Sequence, residues 1–229
     1  MSLHLTQVAH PVFNPGGDRS SQNCGPTSLA MALRSLDLPI PALPSSPEDG
    51  GRRPWLTPAA SVQQQIDAVR YAMFSDATGR SIQPQKDGVE FTRSGPRRVW
   101  EKHQTLVNWD DLLRGAENCG AKGVPVSRFR QLHRALSCRA VVLLAGDPGA
   151  AGAPGARLGV SYQGGHVVLL VGYKEGYVIH DPLCLSGQAR VSPAELRAFC
   201  GARVLGDQIG LALFRRFPGF AGQAVNEAR

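Results

Sequence analysis

The chain reads as an α+β fold in which an N-terminal helix and further helices are followed by a run of antiparallel strands. Three observations predict it. Leu29, Leu33 and Leu36 recur at helical spacing behind Cys24-Gly25-Pro26-Thr27-Ser28, with Ala30, Met31 and Ala32, all good helix formers, between them. Residues 140–144 and 164–173 are short, almost unbroken apolar runs of strand length. Lys174-Glu175-Gly176 then joins the second run to Tyr177-Val178-Ile179-His180-Asp181-Pro182, making a hairpin.

Taken in order, residues 14–23 are rich in Asn, Pro, Gly, Asp and Ser and read as irregular backbone leading into the helix at Cys24. Pro39 closes that helix, and residues 37–59, rich in Pro, Gly and Ser, form a loop. Residues 61–74 are helical, because Val62, Ile66, Val69 and Met73 share one face. Residues 75–95 are polar and turn-rich, and 97–107 suit either a strand or a short helix. The next helix begins with Asp110 as N-cap and stops at Gly120. Val124-Pro125-Val126 is extended, and Ser127 caps a helix carrying Phe129, Leu132 and Leu136 on one side. After the strand at 140–144, the Gly/Ala/Pro segment 147–159 has no core-forming pattern and predicts a mobile loop. Beyond the hairpin, residues 185–191 are extended. Ser192-Pro193-Ala194-Glu195 is a capping box opening a short helix, 209–214 form a last strand, and a frayed tail begins at Gly219.

Composition bounds what such a fold is for. At 229 residues the chain is long enough for one large domain with an insertion. Its 42% hydrophobic and 19% charged content suits a soluble globular protein, and no apolar run approaches the roughly 20 residues a membrane span needs. The first ten residues lack the basic flank and apolar stretch of a secretory signal. Residence in the cytoplasm of the producing cell, or export by a route without a cleavable signal, is therefore the expectation. The net charge of +7 is scattered over Arg52-Arg53, Arg97-Arg98, Arg128, Arg130, Arg134 and Arg215-Arg216. There is no dense basic run and no aromatic interleaving, so solvated faces are expected rather than a nucleic-acid surface. Five cysteines, at 24, 119, 138, 184 and 200, form no Cys-x-x-Cys pair, so neither a zinc site nor a disulfide framework is indicated and no cofactor is expected. Cys119, Cys138 and Cys200 read as packing residues, and Cys184 as a neighbour of the hairpin end.

Three residues carry candidate chemistry. Cys24 stands where loop becomes helix, beside unpaired backbone N–H groups and the positive end of the helix dipole, both of which favour a thiolate. On its own it reads equally well as a structural cysteine. His166 enters the first hairpin strand and Asp181 leaves the second, which brings them to the same end of the sheet. A base and its orienting carboxylate require that placement. His180, next to Asp181, should face the other way.

These stretches resemble a known family. Cys24-Gly25-Pro26-Thr27-Ser28, the Gly165-His166-Val167-Val168 strand and the Tyr177-to-Pro182 strand look like the papain-like peptidases that process double-glycine bacteriocin leaders, and their stand-alone relatives. The resemblance spans the first 40 residues and about 105–215, and includes 110–120, similar to the family's helix between the Cys and His motifs. It implies a papain-like architecture, with the nucleophile on the N-terminal helix and the His and Asp on the packed antiparallel sheet. It further implies Cys24 as nucleophile, His166 as general base and Asp181 as orienting residue. The whole of 1–229 would then be a single peptidase domain, with an elaborating insertion at about 40–105 that helps wall the cleft. One position departs from the pattern. Members usually carry an oxyanion-hole Gln several residues before the cysteine, but six before Cys24 stands Asp18, which has no proton to donate when ionised. Gln22 is the nearest Gln and the expected donor beside the Cys24 backbone N–H, with Asn14, Asn23 or an incomplete hole as alternatives.

Cysteine peptidase action on peptide or protein substrates is the leading expectation, with a bacterial effector or toxin as a natural setting and an inhibitor or immunity protein as a conceivable partner. The same residues support cell-wall amide hydrolysis, deamidation or transglutaminase-like transfer, since each passes through a thioester. A reading of another class is a non-catalytic binding module on a peptidase-like fold.

Overall fold

The computed structural model describes residues 3–6, 23–49, 53–57, 59–98, 107–160, 162–184 and 187–216. Helix α1 (Cys24–Ser35) is buried from Gly25 to Leu33. It stops where Asp37 takes a left-handed conformation (φ 52°) just past the C-cap Leu36. Helix α2 (Val62–Met73) opens on a capping box in which Gln64 N–H donates to Ser61 Oγ and Ser61 N–H to Gln64 Oε1. Its predicted apolar stripe is present, but Ala68, Arg70, Tyr71, Ala72 and the following Phe74 are buried as well. This helix from the 40–105 segment therefore lies within the main core, packed on α1 and on α4 (Trp109–Asn118).

Three short elements, α3 (Pro84–Asp87), β1 (Val89–Thr92) and β2 (Gly95–Arg98), separate α2 from α4. The strands pair antiparallel as a hairpin: β1 lies where composition predicts turns, and the end of β2 falls in the segment that suits a strand or a short helix. The cap of α4 is Asn108 and not Asp110. Asn108 is extended, its Oδ1 accepts from Asp111 N–H at 2.8 Å, and Asp111 returns a bond to the Asn108 amide. After β3 (Ala121–Val126), helix α5 (Phe129–Ser137) has Arg128 in place of Ser127 at its N-cap. Gln131 Oε1 reaches back to accept from both of those amides. The remaining elements are β4 (Val141–Gly146), β5 (His166–Tyr173), β6 (Tyr177–His180), β7 (Gln188–Val191), α6 (Pro193–Gly201) and β8 (Gly210–Arg215). The predicted Ser192/Glu195 box opens α6.

Among the described residues the main sheet has six strands in the order β3-β8-β4-β5-β6-β7, and every neighbouring pair is antiparallel. Helices cover both of its faces. Val141, Leu143, Ala145, Val167, Leu169, Leu211 and Leu213 share a core with α1, α2 and α4. The alternate residues Val142, Leu144, Val168, Leu170 and Ala212 pack with Leu132 of α5 and with Leu196 and Phe199 of α6. Successive side chains on a strand point to opposite faces, so strands buried on both sides show apolar runs without alternation. Among the described residues no helix is long and apolar enough to cross a membrane.

Segment 147–159 is tied down at several points where composition predicts mobility. Asp147 N–H donates to Phe199 O at 3.0 Å, and Val160 N–H to Gly155 O at 2.8 Å. Arg157 pairs with Glu195 at 2.8 Å and donates to Arg190 O. Leu158 packs on a small cluster of Val160, Leu183 and Cys184. Cys119 and Cys200 are buried packing residues, and burial pushes both thiols up to about 12. Cys138 departs from the packing role expected of it and is exposed at the C-cap of α5.

Candidate active site

The N-terminus of α1 meets the entrance of β5. A buried hydrogen bond from Ser28 Oγ to Val167 O, 2.9 Å long, pins the helix to the strand one residue past His166. This contact sets the separation between Cys24, first residue of α1, and His166, first residue of β5. The two side chains face each other closely enough for the imidazole to stabilise the thiolate through hydrogen bonding and charge. Cys24 is half-buried. Burial alone raises its thiol pKa, but the His166 hydrogen bond and charge, together with backbone bonds at Val167 and Gly25, outweigh that and hold it below the ordinary value of 9.0.

His166 is 1% exposed and Asp181 3%. His166 Nε2 lies 2.7 Å from Asp181 Oδ1, which leaves Nδ1 for the thiol. Asp181 Oδ1 also accepts from Leu183 N–H at 2.8 Å, so the carboxylate is held from two sides. Desolvation disfavours charge on His166, yet the Asp181 carboxylate, with the thiolate adding to it, raises the imidazole from 6.5 to about 10. Asp181 is lowered despite its burial, by the His166 charge and by the bonds from His166 and Leu183. The arrangement thus favours a thiolate against an imidazolium whose second N–H is fixed by a buried carboxylate.

Several residues that carry no motif complete the surroundings. Tyr162 stands edge-on to the His166 ring at 6.2 Å between centroids. Asp147 Oδ1 accepts from Gly149 N–H and, at 3.0 Å, from Gly164 N–H, fastening the segment before His166. Gly164 has φ +118°, a backbone conformation that calls for glycine, and a Cβ there would also press on the Tyr162 hydroxyl at 3.3 Å. Beyond Asp181, His4 Nε2 bonds Cys184 O at 2.8 Å and Thr6 Oγ1 donates to Pro182 O at 3.0 Å, strapping the turn from the N-terminal side. His180 stacks on His4 with centroids 5.7 Å apart; burial, with the charge of His4 adding to it, lowers its pKa to about 4. Cys184 sits under the loop at Leu158, with Sγ 3.7 Å from its carbonyl.

The predicted oxyanion donor Gln22 and its alternative Asn14 lie outside the described residues, as does the tail from Gly219. Asn23 is fully buried, and its Oδ1 accepts from Arg70 Nη1 at 3.1 Å. Among the described residues no three His, Cys, Asp or Glu side chains gather as metal ligands.

No family model matches the chain, and no curated protein does. A solved structure from Bacillus anthracis, described as that of a C39-like peptidase, is similar over 85% of this chain and 90% of its own, with 17% sequence identity and a TM-score of 0.47.

Proposed function

We propose that the chain is a cysteine peptidase in which Cys24 attacks a peptide carbonyl, His166 moves the proton and Asp181 orients the imidazole. The observation that carries this reading is the continuous chain of contacts from the Cys24 thiol through His166 to Asp181, the last two closed at 2.7 Å in a buried setting. A thiol in a purely structural role gains nothing from a buried, carboxylate-bound imidazole, whereas a nucleophile is activated by it.

The steps follow from the charges. The Cys24 thiolate forms a C–S bond to the carbonyl carbon, and the electron pair moves onto oxygen. The Cys24 backbone N–H, at the start of α1, is one donor for that oxyanion, and Gln22 is the second in this proposal. As the oxyanion collapses, His166 gives its Nδ1 proton to the departing amine and the C–N bond breaks, leaving a thioester. Water then attacks the thioester with His166 as base, which releases the acid and restores the thiol pair. Asp181 holds Nε2–H throughout, so that Nδ1 always faces the sulfur.

The test is incubation with a complex peptide library, with new termini read by mass spectrometry. Cleavages present with the wild-type chain and absent with Cys24→Ala are the expected result. Absence of any Cys24-dependent cleavage overturns the peptidase assignment.

A further inference from the structure

Arg70 lies in the middle of α2 and is 0% exposed, in contrast to the exposed Arg128, Arg130 and Arg134. Burying a guanidinium is costly unless it is hydrogen-bonded and its charge is compensated, so its contacts show what keeps it there. Nε donates to Lys86 O at 3.1 Å, and Nη1 donates to Asn23 Oδ1 at 3.1 Å. The guanidinium also covers the Phe74 ring at 5.7 Å. Its acidic neighbours are Asp67 of α2, Asp87 at the end of α3 and Asp111 of α4. Asp87 also accepts from Ser81 and from Val89 N–H, and Asp111 pairs with Arg114 at 3.2 Å. The Asn23 contact is different in kind. Asn23 is the N-cap of α1, is itself 0% exposed, makes no side-chain capping bond to the helix, and immediately precedes Cys24.

We propose that Arg70 is a positioning residue for Cys24: by holding Asn23 it fixes the first turn of α1, and it brings a positive charge to the residue next to Cys24. The inference rests on the reading of Cys24 as nucleophile. The guanidinium reaches the thiol's end of α1 through Asn23, the residue bonded to Cys24 in the chain. The charged and titratable groups around the pair are His166 and Tyr162 on the thiol side, with Asp181 behind His166, and Asp67, Asp87 and Asp111 on the guanidinium side. Removing the Arg70 cation withdraws an attraction for the thiolate and leaves those three carboxylates less compensated. Both changes raise the thiol pKa. Lysine in its place keeps the charge but lacks the fork that reaches Lys86 O and Asn23 Oδ1 together.

The experiment measures the rate of Cys24 alkylation by iodoacetamide against pH in the wild type, Arg70→Met, Arg70→Lys and Asn23→Ala, each checked for folding by thermal melting. Arg70→Met is expected to move the midpoint up by about 0.3 pH unit, which is roughly a two-fold loss of rate at pH 6. Arg70→Lys is expected to restore the midpoint but not the plateau rate. Asn23→Ala is expected to lower the plateau alone. A merely structural Arg70 would lower the melting temperature and leave both alkylation parameters in place, and that result overturns the proposal. If Arg70→Met does not fold, wild-type midpoints and plateaus in both of the other variants overturn it equally. An ordinary, unactivated thiol in the wild type defeats the nucleophile reading and this inference together. An activated wild-type thiol with unaltered variants defeats only the inference.

Discussion

His166→Ala is expected to lower hydrolysis by about 10³-fold or more under the proposed mechanism, in which the base for the sulfur and the acid for the leaving amine are lost in one substitution. The thiol also loses the interactions that lower its pKa, because the His166 hydrogen bond and charge stand first among the influences opposing its burial. The pH behaviour follows with definite signs. His166 is raised from 6.5 to about 10, so its contribution to stability is full below its unfolded value and is lost as pH rises through about 10. Asp181 is depressed below 3.8, so its contribution is present above that value and is lost as pH falls through the lower folded one. Wild-type hydrolysis should therefore rise with thiolate formation below the ordinary thiol range and fall as the imidazolium loses its proton near about 10. The pH–rate profile of wild type against His166→Ala checks both limbs. A residual rate in His166→Ala within ten-fold of wild type would remove His166 from the mechanism.

Gly146→Ala should cost about 3 kcal/mol of stability through overpacking and a displaced backbone. A Cβ at Gly146 would lie 2.6 Å from Phe199 C and closer still to its carbonyl oxygen, both backbone atoms of α6 that no rotamer change can move. That same carbonyl accepts the Asp147 amide, and Asp147 holds Gly164 just ahead of His166. Gly146 is also the register partner of His166 in the β4–β5 ladder. The substitution is therefore expected to lower the melting temperature by about 6–12 °C and to slow Cys24 alkylation in the protein that remains folded. A melting temperature within about 2 °C of wild type would show that α6 moves freely against β4.

How far the site is legible from sequence depends on how locally each part is built. The first turn of α1 is legible because the Cys24-Gly25-Pro26-Thr27 junction and the leucine spacing behind it are contiguous. His166 and Asp181 are legible because one short turn, 174–176, brings their strands together. Arg70 is not. A single charge on an amphipathic helix reads as solvent-facing, and nothing in its own neighbourhood tells that Asn23, ahead of α1, and Lys86 of α3 close over it. Asp147 and Ser28 are equally silent, since their partners Gly164 and Val167 lie far along the chain. The β1–β2 hairpin escapes notice because its strands are four residues each and the second begins Gly95-Pro96, which carries little strand propensity. The helices on the second face of the sheet are implied by the non-alternating runs at 141–145 and 167–170, which mark strands covered on both sides.

The most direct test of the central claim is the pH dependence of iodoacetamide alkylation of the wild-type chain, with the modified residue identified by mass spectrometry. Rapid modification of Cys24, persisting to about pH 6 while buried Cys119 and Cys200 stay unreacted, is the predicted result. A Cys24 that reacts only as an ordinary thiol, with a midpoint near roughly 8.5, would contradict it.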